Sequence, residues 1–306
     1  QFNSIDARSG GSVPTGSSQI AFSDFYGTRL QTVVNFYGSG RGGNRLVAKD
    51  RYNSGGSNDV QTVGNYRTRP TNSSGTKVHI HVNQTIGSEK TRVEHCALRT
   101  GSWDSSTTLQ VDVGGSGRIS GSGGDGGRGS VNSGSGFDGG DGTSGLGVQY
   151  SPTTVTVASG GFIQAGFAGG GGGGGGFDTD KEADRTASGG GGGGGAGVPA
   201  GDGGQEGSGG TEGGPGSAGN INDGGSGGGG SNNDGEAFGG AGGAGGDRAG
   251  SAGEGADGTG GEGSRSSGGD PGNPGAAIRR NSGFTVNIDG TSLSRIHGDK
   301  TATGVL

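Results

Sequence analysis

The chain has 306 residues, of which 87 are glycine, while hydrophobic residues make up only 24% and aromatics 5%. Globular domains average about 7% glycine, so this composition excludes one large, conventionally packed enzyme core for the whole chain. A net charge of −6 argues against non-specific nucleic-acid binding, the single Cys96 excludes an intrachain disulfide framework, and no stretch approaches the ~20 apolar residues of a membrane span.

No basic-plus-apolar leader opens the chain, and Gln1 in place of Met is read as a processed or trimmed start. The first hundred residues hold 13 glycines and read as β structure. Leu30 to Tyr37 (LQTVVNFY) is β-branched and aromatic. Lys77 to Gln84 alternates, with Val78, Ile80 and Val82 on one face and His79, His81 and Asn83 on the other. Thr108 to Val113 alternates too, with Leu109, Val111 and Val113 inward and Gln110 and Asp112 outward. Period-2 patterns between Gly, Ser and Asn clusters are strand signals. No segment carries a sustained 3.6-residue apolar stripe, so negligible α-helix is expected.

A loose internal repeat follows. Residues 111–121 read VDVGGSGRISG, residues 154–166 read TVTVASGGFIQAG and residues 286–298 read VNIDGTSLSRIHG. The first and last are a short alternating strand, a glycine turn and then Arg-Ile-x-Gly, and 154–166 is a looser copy. Two copies lead into glycine tracts and the third follows the last tract, so each is read as a β element that starts or closes the glycine body.

Residues 160–275 hold 53 of the glycines. A flexible Gly/Ser linker is the bland reading of such a stretch. Collagen fails, because the chain has 7 prolines and no strict Gly-X-Y period. The third state is a bundle of polyglycine II helices. Glycine can take the extended three-residue helix while keeping its N–H, so neighbouring helices can hydrogen-bond on several sides. A lone helix of this kind is unstable, since glycine loses the most entropy on ordering, but a bundle offsets that cost through interhelix hydrogen bonds. The tracts support a bundle: 121–129, 169–176, 189–197, 224–230, 239–246 and 250–263 recur with polar, charged or proline breaks between them. Eight residues at a ~3.1 Å rise span roughly 25 Å. Ala241 and Ala244 repeat at a three-residue interval and fall on one edge. The expected architecture is an all-β head over 1–113, a polyglycine II bundle with variable turns over 114–275 and a C-terminal β closing segment over 276–306.

The order of β head, strand, glycine turn, Ile-x-Gly-x-Gly-Gly and interrupted polyglycine tracts resembles glycine-rich bacteriophage tail-fibre and tail-tip proteins. The closest kind is the distal tip adhesin of T-even-type phage long tail fibres. Gln19 to Gly27 (QIAFSDFYG) also resembles a short segment common in phage virion proteins. The resemblance implies that the N-terminal part attaches to the fibre, that the glycine motifs pack as a polyglycine II sandwich, and that variable loops contact a bacterial surface protein or polysaccharide. It implies a virion tail-tip location, no membrane embedding, no nucleic-acid partner and no cofactor. The chain departs from the pattern in its longer head and one long charged insert. A different class of reading is an antifreeze-like or extracellular structural glycine-rich protein, but the charged, uneven breaks argue against the flat regular face that ice binding needs.

No catalytic constellation emerges, and a non-enzymatic role is expected. His79 and His81 share a strand face; in trimeric phage fibres a His-x-His pair can hold metal on the three-fold axis, but the primary reading here is an exposed polar face with no metal. His95 and Cys96 point to opposite sides of a strand, which discourages a dyad. The acidic residues lack calcium-loop spacing, and the tracts lack the Lys-Ser/Thr and helix of a phosphate loop. Trp103, Phe162 and Phe167 are expected to pack at the junction of head and body. Recognition is assigned to the breaks, since a rigid scaffold can display functional loops. Phe177 to Ser188 carries Phe177, Asp178, Asp180, Lys181, Glu182, Asp184 and Arg185; Ser231 to Phe238 carries Asn232, Asn233, Asp234 and Phe238; Leu146 to Pro152 carries Tyr150. Plain chain reversal is the competing reading of the first break. The breaks are expected to fall into two sets at opposite ends of the tracts.

Overall fold

A computed structural model describes residues 6–7, 28–29, 31–36, 46–54, 60–63, 73–179, 184–260 and 265–306. Gln19 to Gly27 lies outside the described residues. The described structure is mostly β, with one α-helix of 7 residues, Ala48–Ser54.

Three sheets organise it. The six-stranded sheet runs in the order Val286–Ile288, Thr153–Val157, Thr108–Val113, Lys77–Val82, Gln31–Phe36 and Val60–Val63, all parallel except the last pair. The five-stranded sheet runs Ala302–Thr303, Ile278–Arg280, Ser144–Val148, Cys96–Arg99 and Leu46–Val47, all parallel. The four-stranded sheet runs Ile296–His297, Phe162–Gln164, Arg118–Ser120 and Thr85–Ile86, again parallel. From Lys77 onward the chain visits the six-stranded, the four-stranded and then the five-stranded sheet, and repeats that circuit. Each circuit adds one strand to each sheet, as in a three-sided coil.

The internal repeat is the first two sides of that coil. Its copies stack in register, so Val111 lies opposite Val155, which lies opposite Ile288. Ile86, Ile119, Ile163 and Ile296 form a second ladder. Leu46, Leu98, Leu146 and Ile278 form a third. These ladders share one hydrophobic cluster, with Ile288 and Leu46 at its partly buried margin. Burying a Val, Leu or Ile side chain contributes about 1.5–3 kcal/mol, so the ladders compensate for the low apolar content of the rest.

The glycine tracts leave the coil between its second and third sides, once after Ser120 and again after Gln164. Their hydrogen bonds recur every third residue. Gly124, Gly127 and Ser130 donate their N–H to the carbonyls of Phe167, Gly170 and Gly173, while Gly123, Gly126 and Gly129 donate to Pro199, Asp202 and Gln205. The central tract uses three partners in rotation. Gly169, Gly172 and Gly175 donate to Gly140, Phe137 and Gly134; Gly170 and Gly173 donate to Gly193 and Gly190; Gly171 and Gly174 donate to Gly253 and Ala256. Residues 168–176 are buried throughout, whereas the peripheral tract 239–246 exposes Ala241 and Ala244 and buries Gly240, Gly243 and Gly246. A Cβ on Gly172 would lie 1.9 Å from the carbonyl oxygen of Arg128, and one on Gly192 2.1 Å from that of Gly170. Backbones therefore approach to distances that only glycine permits.

Candidate functional site

The tracts run back and forth, so their breaks divide into two groups. One group lies beside the three sheets, where Gly121 bonds to Gln164, Ala196 to Gly246 and Gly275 to Gly166. The other lies at the far end, where Asn132 bonds to Ser208, Ser188 to Thr211 and Gly258 to Ser266.

At the far end the charged break 177–188 forms a hairpin, Gly176–Thr179 paired antiparallel with Asp184–Ala187. Asp180, Lys181 and Glu182 lie outside the described residues. Phe177 is half-buried, Asp178 is buried, and only the backbone of Asp184 is described. The break 231–238 forms a second hairpin, Asn232–Asn233 with Ala237–Phe238, extended by Thr259–Gly260. Its turn has φ of 54° at Asp234 and 79° at Gly235. Two consecutive positive φ values are what a tight hairpin turn requires, and Asp-Gly tolerates them. The Asn232 side-chain oxygen accepts the Gly235 N–H at 2.8 Å and fixes the turn.

The two hairpins are joined by specific bonds. The Arg185 guanidinium pairs with Glu236 and lies 3.9 Å from Asp234. The Asn233 amide donates to the Thr186 carbonyl at 3.1 Å, and the Ser231 hydroxyl donates to the Ser188 carbonyl at 2.8 Å. Asn232 and Asp234 are exposed, and Phe238 keeps 39% of its surface in solvent. The result is a patch with the exposed Phe238 ring, the Arg185 guanidinium and amide and carboxylate groups. The signal for Glu236 in the sequence is the Asp-Gly turn before it, across which its N–H donates to the Asn233 carbonyl of the hairpin's first strand.

Tyr150 is not part of this patch. It lies on the sheet side, packed against the hydrophobic cluster, and its hydroxyl donates to the carbonyls of Asp104 and Thr107 at 3.2 and 3.0 Å. Trp103 is buried against Tyr52, and Phe162 is buried with the Arg248 guanidinium 3.9 Å from its ring centroid. Arg248 donates in turn to the Gln164 side-chain oxygen at 2.7 Å.

A sequence model of the family described as phage tail fibre adhesin Gp38 matches residues 49–301. The chain belongs to the phage tail fibre adhesin Gp38 family. A chain of the solved gp37-gp38 adhesin tip complex of the bacteriophage S16 long tail fiber is 19% identical, at a TM-score of 0.37, over 95% of this chain and 88% of that one. No curated protein matches it. Among the described residues of this Gp38-family adhesin, no helix is long and apolar enough to cross a membrane.

The His-x-His strand of the adhesin departs from the exposed polar face expected of it. His79 is buried at 8% exposure and His81 is half-buried. The cause is Asp112, which the parallel register sets directly opposite His81. Its Oδ2 lies 2.6 Å from His79 Nδ1 and 3.3 Å from His81 Nε2. Its Oδ1 accepts hydrogen bonds from the Gln110 amide and the Thr156 hydroxyl. Burial works to raise the Asp112 carboxyl, but hydrogen bonds from His79, His81, Thr156 and Gln110 outweigh it and hold the group well below the usual carboxylate range.

Proposed function

We propose that this Gp38-family chain is a non-enzymatic phage tail-tip adhesin that binds a host-cell surface receptor through the far-end breaks of its glycine body. The three-residue hydrogen-bond recurrence and the close backbone approaches support a bundle of left-handed polyglycine II helices. In this reading residues 1–113 form the β-rich attachment region that contacts the tail fibre. Residues 114–275 hold the bundle with its variable turns, together with the sheet strands Arg118–Ser120, Ser144–Val148, Thr153–Val157 and Phe162–Gln164, and 276–306 close the sheets. The receptor is a bacterial surface protein or polysaccharide.

The observation that carries the reading is the joining of the 176–187 and 232–238 hairpins at the end away from the sheets. A polyglycine surface is chemically monotonous, so discrimination between partners falls to what interrupts it. Phe177 and Phe238 offer contact area at low entropy cost, and Arg185, Asn232, Asn233 and Asp234 offer directional hydrogen bonds. Asp178, Asp180, Lys181, Glu182 and Asp184 extend the same break. Tyr150, held on the sheet side, serves in this reading as an anchor of the loop around it rather than as a contact of the main patch.

The test is adsorption of phage carrying Phe238→Ala, Arg185→Ala or both. The reading expects slower adsorption for each and a larger loss for the pair, with unchanged particle assembly. Unchanged adsorption for the double variant would remove the far-end patch from the receptor site.

A further inference from the structure

We propose that His79, His81 and Asp112 form a binding site for a divalent transition-metal ion, placed on the outer face of the six-stranded sheet. Among the described residues these are the one group of three potential ligands that converge, with their ligand atoms all within 4.8 Å of one another.

The geometry is close to what such an ion needs. Zinc binds imidazole nitrogen and carboxylate oxygen at about 2.0–2.2 Å, so tetrahedral ligand atoms stand about 3.3 Å apart. His81 Nε2 and Asp112 Oδ2 are 3.3 Å apart. His79 Nδ1 and Asp112 Oδ2 are 2.6 Å apart, a hydrogen-bond distance at which a proton occupies the space between them. Opening that edge by about 0.7 Å, with the two imidazole nitrogens, which lie within 4.8 Å of each other, drawn to about the same 3.3 Å spacing, admits the ion.

The carboxylate is also held as a ligand is held. Gln110 and Thr156 both bond to Oδ1, which leaves Oδ2 aimed at the two imidazoles. Such outer bonds orient a first ligand and tune its basicity. Two parallel strands, Lys77–Val82 and Thr108–Val113, supply the ligands, so the rigid sheet fixes their spacing. Beside them lies a cavity of about 410 Å³, lined by His81, Asn83, Asp112, Asp289 and Arg295 among others, which leaves room for water on the ion. Two nitrogens and one oxygen suit Zn²⁺, Co²⁺ or Ni²⁺; Ca²⁺ and Mg²⁺ favour all-oxygen sets.

The alternative is a carboxylate that merely accepts two imidazole N–H bonds. The two states differ in the tautomer of both rings, since His81 Nε2, like His79 Nδ1, must be free of its proton to bind the ion. Without metal, His79 donates from Nδ1 to Asp112, and its Nε2 is a buried acceptor with no partner. With metal on Nδ1, the ring proton must move to Nε2.

The experiment is titration of the full, untagged chain with Zn²⁺ by calorimetry, with Co²⁺ by visible absorption, and imidazole nitrogen NMR on the zinc-loaded protein. The proposal expects one equivalent bound, a tetrahedral or five-coordinate cobalt spectrum and a switch of His79 to the Nε2–H tautomer. Asp112→Asn and His81→Asn should each weaken binding about tenfold or more, whereas His95→Asn and His297→Asn should not. Zinc should raise the melting temperature of the parent and not that of Asp112→Asn. If a variant does not fold, the tautomer of His79 in the parent decides. No stoichiometric uptake, uptake unaffected by folded Asp112→Asn, or a His79 that keeps its Nδ1 proton under saturating zinc would overturn it.

Discussion

Ile163 lies directly opposite Ile296 in adjacent parallel strands, both in the hydrophobic cluster, although the whole run from Ala165 to Ala276 separates the two strands. The glycine body is thus an excursion from a coil that resumes in register after it. The two parts depend on each other: the hydrogen-bonded tracts bring the ends of their segment together, and the ladder fixes where they meet.

Ile163→Ala should therefore destabilise the chain by about 2–5 kcal/mol, because a fully buried isoleucine leaves a cavity that stacked strands cannot collapse. Urea denaturation followed by circular dichroism measures this. A loss below about 1 kcal/mol would mean that the ladder is not a joint core.

The coil's first side is legible in the sequence because its strands alternate, and its second side through the internal repeat. Val78, Ile80 and Val82 face the core as read, and the repeat around Ile119, Ile163 and Ile296 is a real stack. The third side was not legible. Ser144–Val148 reads SGLGV and is buried on both faces, so no alternation marks it. A Cβ on Gly147 would lie 2.9 Å from Cys96 Sγ, so glycine there serves close packing, which resembles loop composition in one dimension. The joining of Arg185 to Glu236 and of His81 to Asp112 depends on register and tertiary placement, which no local pattern encodes.

Substitution within the tracts should sort by position. Gly172→Val and Gly192→Val drive a Cβ into a carbonyl and should cost about 1–3 kcal/mol or more, since overpacking is joined by lost hydrogen bonds. Gly229 is exposed and has nothing within 4 Å of a Cβ, so Gly229→Val should be close to neutral. Thermal melting of the three variants is the check; equal melting temperatures would contradict the bundle.

Stability should also decline in mild acid through His297. Burial, then the positive charges of Arg248 and Lys300, hold its imidazole below the ordinary value of 6.5. The unfolded chain then takes up a proton at a pH where the native form does not. This contribution is fully present above 6.5 and is lost as pH falls through the lower native value. His297→Gln should flatten the dependence of the urea midpoint on pH below 6.5. An unchanged slope would assign the acid sensitivity to other groups.

The most direct test replaces 177–188 with a short Gly-Ser turn and measures host adsorption and thermal melting on the same preparation. The account predicts a melting temperature near that of the parent, because the central tract's bonds to its neighbours remain, and adsorption that is abolished or redirected to another host. Adsorption to the original host at the parental rate, in the swap combined with Phe238→Ala, would contradict it.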